Sequence, residues 1–180
     1  HSPQLSGEVH HMNSKNSVSD VRGVPVSYCD RNAIDGLERA VIMTLSFRGD
    51  AIAEIDMVLE EHPDFVMGWL FKASWLTQSM ETRMYPAIVS ALGEAESRIG
   101  GANDREKGHC EAVKSWINGD FYKAVQNWEA VLIKYPMDLL ALELIHYTMV
   151  LLGDVEGQRD AVARVFNLWN ESIPGYEFVL

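Results

Sequence analysis

The chain has 180 residues, and 15 Lys and Arg against 26 Asp and Glu leave a formal charge of -11 at pH 7. That balance excludes a duplex-binding protein, which needs a basic face to release counterions, and argues equally against adhesion to anionic lipid. A hydrophobic content of 47% can fill the core of one ordinary domain, and no stretch approaches the roughly 18 consecutive apolar residues of a membrane span. The first thirty residues also lack the apolar core of a signal peptide, so the expectation is a soluble, cytoplasmic protein. Cys29 and Cys110 are the only cysteines and form no CxxC, which supports neither a disulfide framework nor a zinc knuckle.

Residues 1–30 carry Ser, Asn, Gly and Pro without a helical apolar period and read as an extended or mobile arm. Within it His10-His11-Met12 reads as the end of an expression leader (1–11) joined to a start methionine, with a native His pair as the other reading. Arg22-Gly23-Val24-Pro25-Val26 reads as a turn entering an extended segment, because Pro25 pushes its predecessor out of the helical region.

From Asn32 onward the pattern is one of short amphipathic helices, expected over 31–47, 51–61, 65–79, 85–98, 104–117, 120–134, 138–152 and 156–170. Gly49, Gly119 and Gly153 suit the left-handed residue that closes a helix, and the Asp after each suits the cap of the next. Pro63, Pro136 and Pro174 act as stops. No strand-like alternation interrupts this order, so the fold class is all-α over 31–180.

The prolines expose a repeat. Ala51, Ile55, Val58 and Pro63 share their spacing with Ala124, Trp128, Val131 and Pro136, and with Val162, Phe166, Trp169 and Pro174. A degenerate copy over 85–99, with Ala87, Ile88, Ala91 and Leu92 inward, fills the gap between the first two. The intervals fit the ~34-residue tetratricopeptide repeat, whose second helix carries A-x3-F and then a proline. Trp69, Ala73 and Leu76 supply the large, small and bulky residues of a first helix; Gly108, Ala112 and Ser115, and Leu142, His146 and Met149, do so less well. The architecture expected is a right-handed α-α superhelix of about four helix pairs with an extended amino-terminal arm.

Several longer stretches sharpen this: Asp64-Phe65-Val66-Met67-Gly68, Arg105-Glu106-Lys107-Gly108-His109, Trp116-Ile117-Asn118-Gly119-Asp120, Tyr135-Pro136-Met137-Asp138-Leu139-Leu140-Ala141-Leu142 and Arg159-Asp160-Ala161-Val162-Ala163-Arg164. In this order they resemble the tetratricopeptide repeat protein 38 family, from about Asp20 to the last residue. Trp69 is a departure, standing where the family pattern tends to carry His. The resemblance implies a helical superhelix and no established reaction. Family members are longer, which implies an amino-terminal portion of a longer array or a short form. On that view Val162, Val165, Phe166 and Trp169 form an apolar face, covered by a second copy, by swapped helices or by further sequence.

Chemistry-bearing residues are sparse. Of six histidines only His109 and His146 fall on first helices, and no HxxxH pair offers a metal two ligands from one face. His109 reads either as a structural or a ligand-contacting residue, and His146 as a satisfied interior histidine. Asp160 and Arg164, four apart, suit an ion pair, with an arginine facing an anionic ligand as the alternative. No GxSxG, SxxK or P-loop is present, and adjacent His109 and Cys110 point about 100° apart. No metal or cofactor is implied.

Trp116, His109, Glu143 and Tyr147 fall on positions that usually face the groove of such a superhelix, where aromatic surface with polar tips suits a peptide or small ligand. Ordinary packing is the other reading for Trp116. The leading expectation is a non-enzymatic scaffold presenting a concave groove to a protein or peptide. A second is small-molecule binding or acid-base chemistry in a groove around His109, His146 and Arg159. A third is a homo-oligomer formed through the carboxy-terminal helices, with Phe166, Trp169 and Phe178 buried between copies.

Overall fold

A computed structural model describes residues 18–179. The leader reading of residues 1–11 lies outside them. Eight helices follow a short hairpin: β1 (Val18–Ser19) pairs antiparallel with β2 (Pro25–Val26), then come α1 (Arg31–Ser46), α2 (Ala51–Glu61), α3 (Val66–Thr77), α4 (Tyr85–Glu96), α5 (Asp104–Ile117), α6 (Phe121–Lys134), α7 (Leu139–Leu152) and α8 (Val155–Phe166). Each lies within four residues of its expected bounds. Helices pack as consecutive pairs, α1 with α2, α3 with α4, α5 with α6 and α7 with α8. No described helix is long and apolar enough to cross a membrane.

The punctuation works as the chemistry of helix ends requires. Asp50, Asp120 and Asp154 each accept the N–H three residues on, at 3.0, 3.0 and 2.8 Å. Gly153 closes α7 at φ 72°, a conformation that a side chain resists. Asn103 and Glu106 form a reciprocal capping box at the start of α5.

The repeat has a packing reason. Val58 of α2 faces Gly36 of α1, and Val131 of α6 faces Gly108 of α5; a Cβ on either glycine would lie 2.4 Å from the valine Cγ2. The third apolar position of the pattern is therefore the point of closest approach within a pair. In α8 the register differs from the one expected: Ala161 and Val165 are buried, whereas Val162 is half-buried and Phe166 exposed. The spacing Ala161, Val165, Leu168 reproduces Ala51, Ile55, Val58 one residue earlier than a count back from Pro174 suggests. Ile88, Leu92 and Ala95, all buried, supply the same spacing in α4.

The arm is part of the core from Val18 onward, not a mobile lead-in. Val24 and Val26 are buried, and Asp20 Oδ1 holds the turn by accepting the N–H groups of Arg22 and Val24 at 2.8 and 3.0 Å. Arg22 reaches Glu38 on α1 with two bonds of 2.7 and 2.5 Å, and donates to the Pro174 carbonyl at 3.2 Å. Residues after α8 fold back: Trp169 is 5% exposed and its Nε1 donates to the Pro136 carbonyl at 3.1 Å, while Val179 is buried. α1 meets α7 directly, through Thr44 and Glu143. The arm and the returning tail thus pack onto the helices, with α1 against α7.

Gly108→Ala checks this packing. A methyl there meets a β-branched side chain with few rotamers, so a loss of about 1–3 kcal/mol in urea unfolding is expected despite the better helix propensity of Ala. In a Val131→Ala background the same change should become neutral or stabilising, because the obstructing methyl is gone.

Candidate functional site

Two buried carboxylates lie near the start of α7. Asp138 caps the helix, its Oδ1 accepting the Ala141 N–H at 3.0 Å. Its Oδ2 accepts from Arg105 Nε at 2.6 Å and lies 2.8 Å from His109 Nε2. Arg105 also donates to the Pro25 carbonyl at 3.4 Å, and Glu106 accepts the Ser27 N–H at 3.0 Å, which ties the arm to α5. Burial by itself would raise the Asp138 pKa, but the Arg105 guanidinium and the His109 imidazole beside it hold the carboxyl well below the usual carboxylate range. The pair has the form of a base and its orienting acid. Yet His109 and Asp138 are both 0% exposed, so no substrate reaches them and the cluster is structural.

Glu143 is the opposite case. It is 4% exposed, no cation pairs with it, and burial pushes its pKa up to about 8 against a smaller lowering by the Thr44 hydrogen bond. Thr44 Oγ1 lies 2.6 Å from the Val41 carbonyl and 2.8 Å from Glu143 Oε2. A hydroxyl has one proton, and the carbonyl has none to offer. Both contacts are satisfied when Thr44 donates to Val41 and a protonated Glu143 donates to Thr44. Glu143 Oε1 is then a carbonyl-type acceptor, and it has no partner.

Glu143 lines a cavity of about 250 Å³ between α1, α7, α8 and the tail. Phe47, Tyr147, Phe178 and Val162 form its apolar wall, and His146 stands at its edge. Phe47 closes α1 in the left-handed conformation, φ 52°, and is 81% exposed. A bulky aromatic side chain there gives up both a favoured backbone conformation and a buried position. Its ring sits edge-on to Tyr147 at 6.5 Å, and Tyr147 is edge-on to Trp75 at 5.6 Å.

The residues expected from sequence therefore divide. Glu143, His146, Tyr147 and Phe178 come together at this cavity. His146 is exposed, not interior, because α7 turns that edge outward between the buried Ile145 and Met149. His109 faces Asp138, and Arg159 is exposed beside Asp160 at 3.2 Å, so no hydrogen bond joins any two of His109, His146 and Arg159. Trp116 belongs to another hollow, with Leu76, Met80 and Tyr85, and lies edge-on to Phe121 at 5.2 Å. Asp160 and Arg164 do not pair; Arg164 reaches across to Glu129 at 2.9 Å. Of the expected self-association residues, Trp169 is buried in its own chain, Phe178 is half-buried at the cavity, and Phe166 is exposed. Thr44, Phe47, Arg105 and Asp138 were missed as site or cluster residues. The Asn-x-x-Glu capping signature ahead of Arg105 was visible, and nothing local marked the others.

Among the described residues no second acid or base is hydrogen-bonded to the Glu143 carboxyl, although His146 and Tyr147 line the same cavity. Burial pushes the Cys110 thiol up to about 11, which leaves it unreactive. Neither a family model nor a solved structure matches the chain.

Two stability measurements separate the two acids. Asp138→Ala leaves Arg105 charged and buried without its partner, and should cost about 3–5 kcal/mol in urea unfolding. Glu143 has a folded pKa raised above its ordinary value of 4.5, so the folded state binds more protons than the unfolded one between those values. Its presence therefore costs stability as pH rises from about 5 to 8. Relative to Glu143→Gln, the native protein should lose roughly 4 kcal/mol across that window, and a parallel pair of pH profiles would contradict the assignment.

Proposed function

We propose that the chain is a tetratricopeptide-like binding scaffold, a right-handed superhelix of four helix pairs similar to the tetratricopeptide repeat protein 38 family, that holds a small organic molecule in the cavity at Glu143. One observation carries this reading: Glu143, a buried acid with an oxygen left unpartnered among the described residues, is one of the residues that line an apolar cavity of about 250 Å³. An unpaired buried acceptor costs on the order of 1–3 kcal/mol, and a ligand donor recovers it. The volume is just below the roughly 300 Å³ at which drug-sized sites begin, so the occupant is small. The packed arm and α1 weigh against a peptide lying along an open groove.

Protein docking is a second reading with its own support. A cleft of about 270 Å³ between α6 and α8 is lined by Leu132, Ile133, Val165 and Leu168, with Ile133 73% exposed. A second copy of the chain as its occupant predicts a mass in light scattering that falls on hundredfold dilution, and that Ile133→Asp reduces to the monomer. A constant monomer mass removes self-association.

Benzyl alcohol tests the small-ligand reading, since it carries one donor on an apolar body. Saturable millimolar NMR shifts are expected at Phe47, Tyr147, Val162 and Phe178, and should vanish in Val162→Trp, which fills the cavity. Shifts spread over the surface, or unchanged in that variant, would remove the reading.

A further inference from the structure

The turn between α5 and α6 carries a chemistry that does not depend on the cavity at Glu143. We infer that Asn118 is a self-modifying site: the Gly119 nitrogen closes on the Asn118 side-chain amide, and the aspartate or isoaspartate that results unlatches the end of α5.

Three helix boundaries share one glycine-aspartate turn, at Gly49, Gly119 and Gly153, with φ of 80, 81 and 72°. The residue before the glycine is Arg48 in the first, Asn118 in the second and Leu152 in the third, so only the second sets a side-chain amide beside the glycine nitrogen. No other asparagine of the sequence precedes a glycine. Asn118, Gly119 and Asp120 are all exposed, and a Cβ on Gly119 would meet nothing within 4 Å, so the nitrogen is not screened. Asn103 and Asn127 differ. Their amide nitrogens donate at 3.1 Å to the Pro25 carbonyl and to Ser115 Oγ, and a larger residue follows each. Asp35-Gly36 could close the same ring, but it lies inside α1 with Gly36 buried.

The closed turn holds the reaction back. Gly119 N–H donates to the Trp116 carbonyl at 2.9 Å and Asp120 N–H to the Ser115 carbonyl at 3.0 Å, the two bonds that end a helix on a left-handed glycine. Attack requires the first bond to open and Asn118 to leave its ψ of 0°. An exposed turn held by terminal bonds opens at low free energy, which frees the nitrogen repeatedly.

Water is the one co-reactant. The Gly119 nitrogen gives up its proton and bonds to Asn118 Cγ; the Cγ–Nδ2 bond breaks, and ammonia leaves with that proton. One water then opens the five-membered imide. Cleavage at the side-chain carbonyl gives aspartate, and cleavage at the main-chain carbonyl gives isoaspartate, whose main chain runs through Cβ and Cγ. Either product adds a negative charge at the carboxy-terminal end of α5, where the helix dipole disfavours it. Isoaspartate also lengthens the backbone by one carbon, which takes the Asp120 N–H away from Ser115. The turn that loosens carries Trp116 and leads into Asp120, the cap of α6.

The test ages the full chain at neutral pH and physiological temperature beside Asn118→Gln, and follows tryptic peptides by mass spectrometry with the unaged chain as zero. A gain of one mass unit is expected on residues 115–123, at least tenfold faster than on 99–105 and 124–134, which carry Asn103 and Asn127. It should resolve into two products, aspartate and isoaspartate. In Asn118→Gln the gain should fall at least tenfold, because the six-membered ring closes more slowly. Aged native protein should exchange the Asp120 amide hydrogen at least tenfold faster than fresh protein, and aged Asn118→Gln should not. Equal rates at the three peptides, or conversion of 115–123 only after unfolding in urea, would overturn the site. Conversion with unchanged exchange at Asp120 would overturn the unlatching. The peptides are compared within one native chain, so the result holds even if the variant does not fold.

Discussion

The carboxylate of Asp138 is the charge on which the arrangement depends. A single side chain closes the first turn of α7, pairs with Arg105 and His109 of α5, and through Arg105 reaches the backbone of β2. Charges taken out of water are costly, and this one is tolerable because both its oxygens are hydrogen-bonded and both neighbours favour its ionised form. The start of α7 is thereby tied to α5 through a residue that precedes its first turn. Glu143 lies on the helix that Asp138 caps, so the position of the cavity follows from the cluster. Arg22 adds a similar anchor, holding α1 through Glu38 and the tail through the Pro174 carbonyl.

The local part of this fold is legible in the sequence because its causes are local. Asp at the helix boundaries caps the next helix within a few residues, with Gly153 closing α7 before Asp154, and all eight helices can be read from such signals and from apolar spacing. Val58 and Val131 recur at fixed intervals because each fits against a glycine of its partner helix. The same logic explains the slip in α8. Pro174 follows an irregular segment, not the end of the helix, so counting back from it shifts the register by one and exchanges Val162 and Phe166 for Ala161 and Val165.

The site was legible only in part, for the opposite reason. Glu143, His146 and Tyr147 stand at helical spacing on one helix, and any reading that places α7 toward the interior selects them together. Phe47 and Thr44 lie some hundred positions earlier, and only the tertiary meeting of α1 with α7 makes them neighbours, as the separation of 99 between Thr44 and Glu143 shows. His109 and Arg105 were placed on the correct helix, but their partner is 29 and 33 residues away. With no pairing signal between such positions, a buried ion cluster and an exposed binding edge look alike. The arm is a similar case: Val24 and Val26 have no periodicity to announce their burial, because a short hairpin buries alternate residues without repeating.

Asp138 and Glu143 together show what decides whether a buried acid builds structure or awaits a ligand. Both are nearly inaccessible and both belong to the start of one helix, so burial and backbone context do not distinguish them. Their neighbours do. Asp138 meets a guanidinium, an imidazole and a backbone N–H; its charge is matched inside the chain and nothing is left to recognise. Glu143 meets one hydroxyl and aromatic and aliphatic groups; its charge is unmatched among the described residues, so burial keeps the acid neutral, and one oxygen is left without a partner there. Desolvation is the same physical term in each. A chain that supplies the opposing charge itself gains rigidity from it, and a chain that withholds the charge keeps the acid protonated instead.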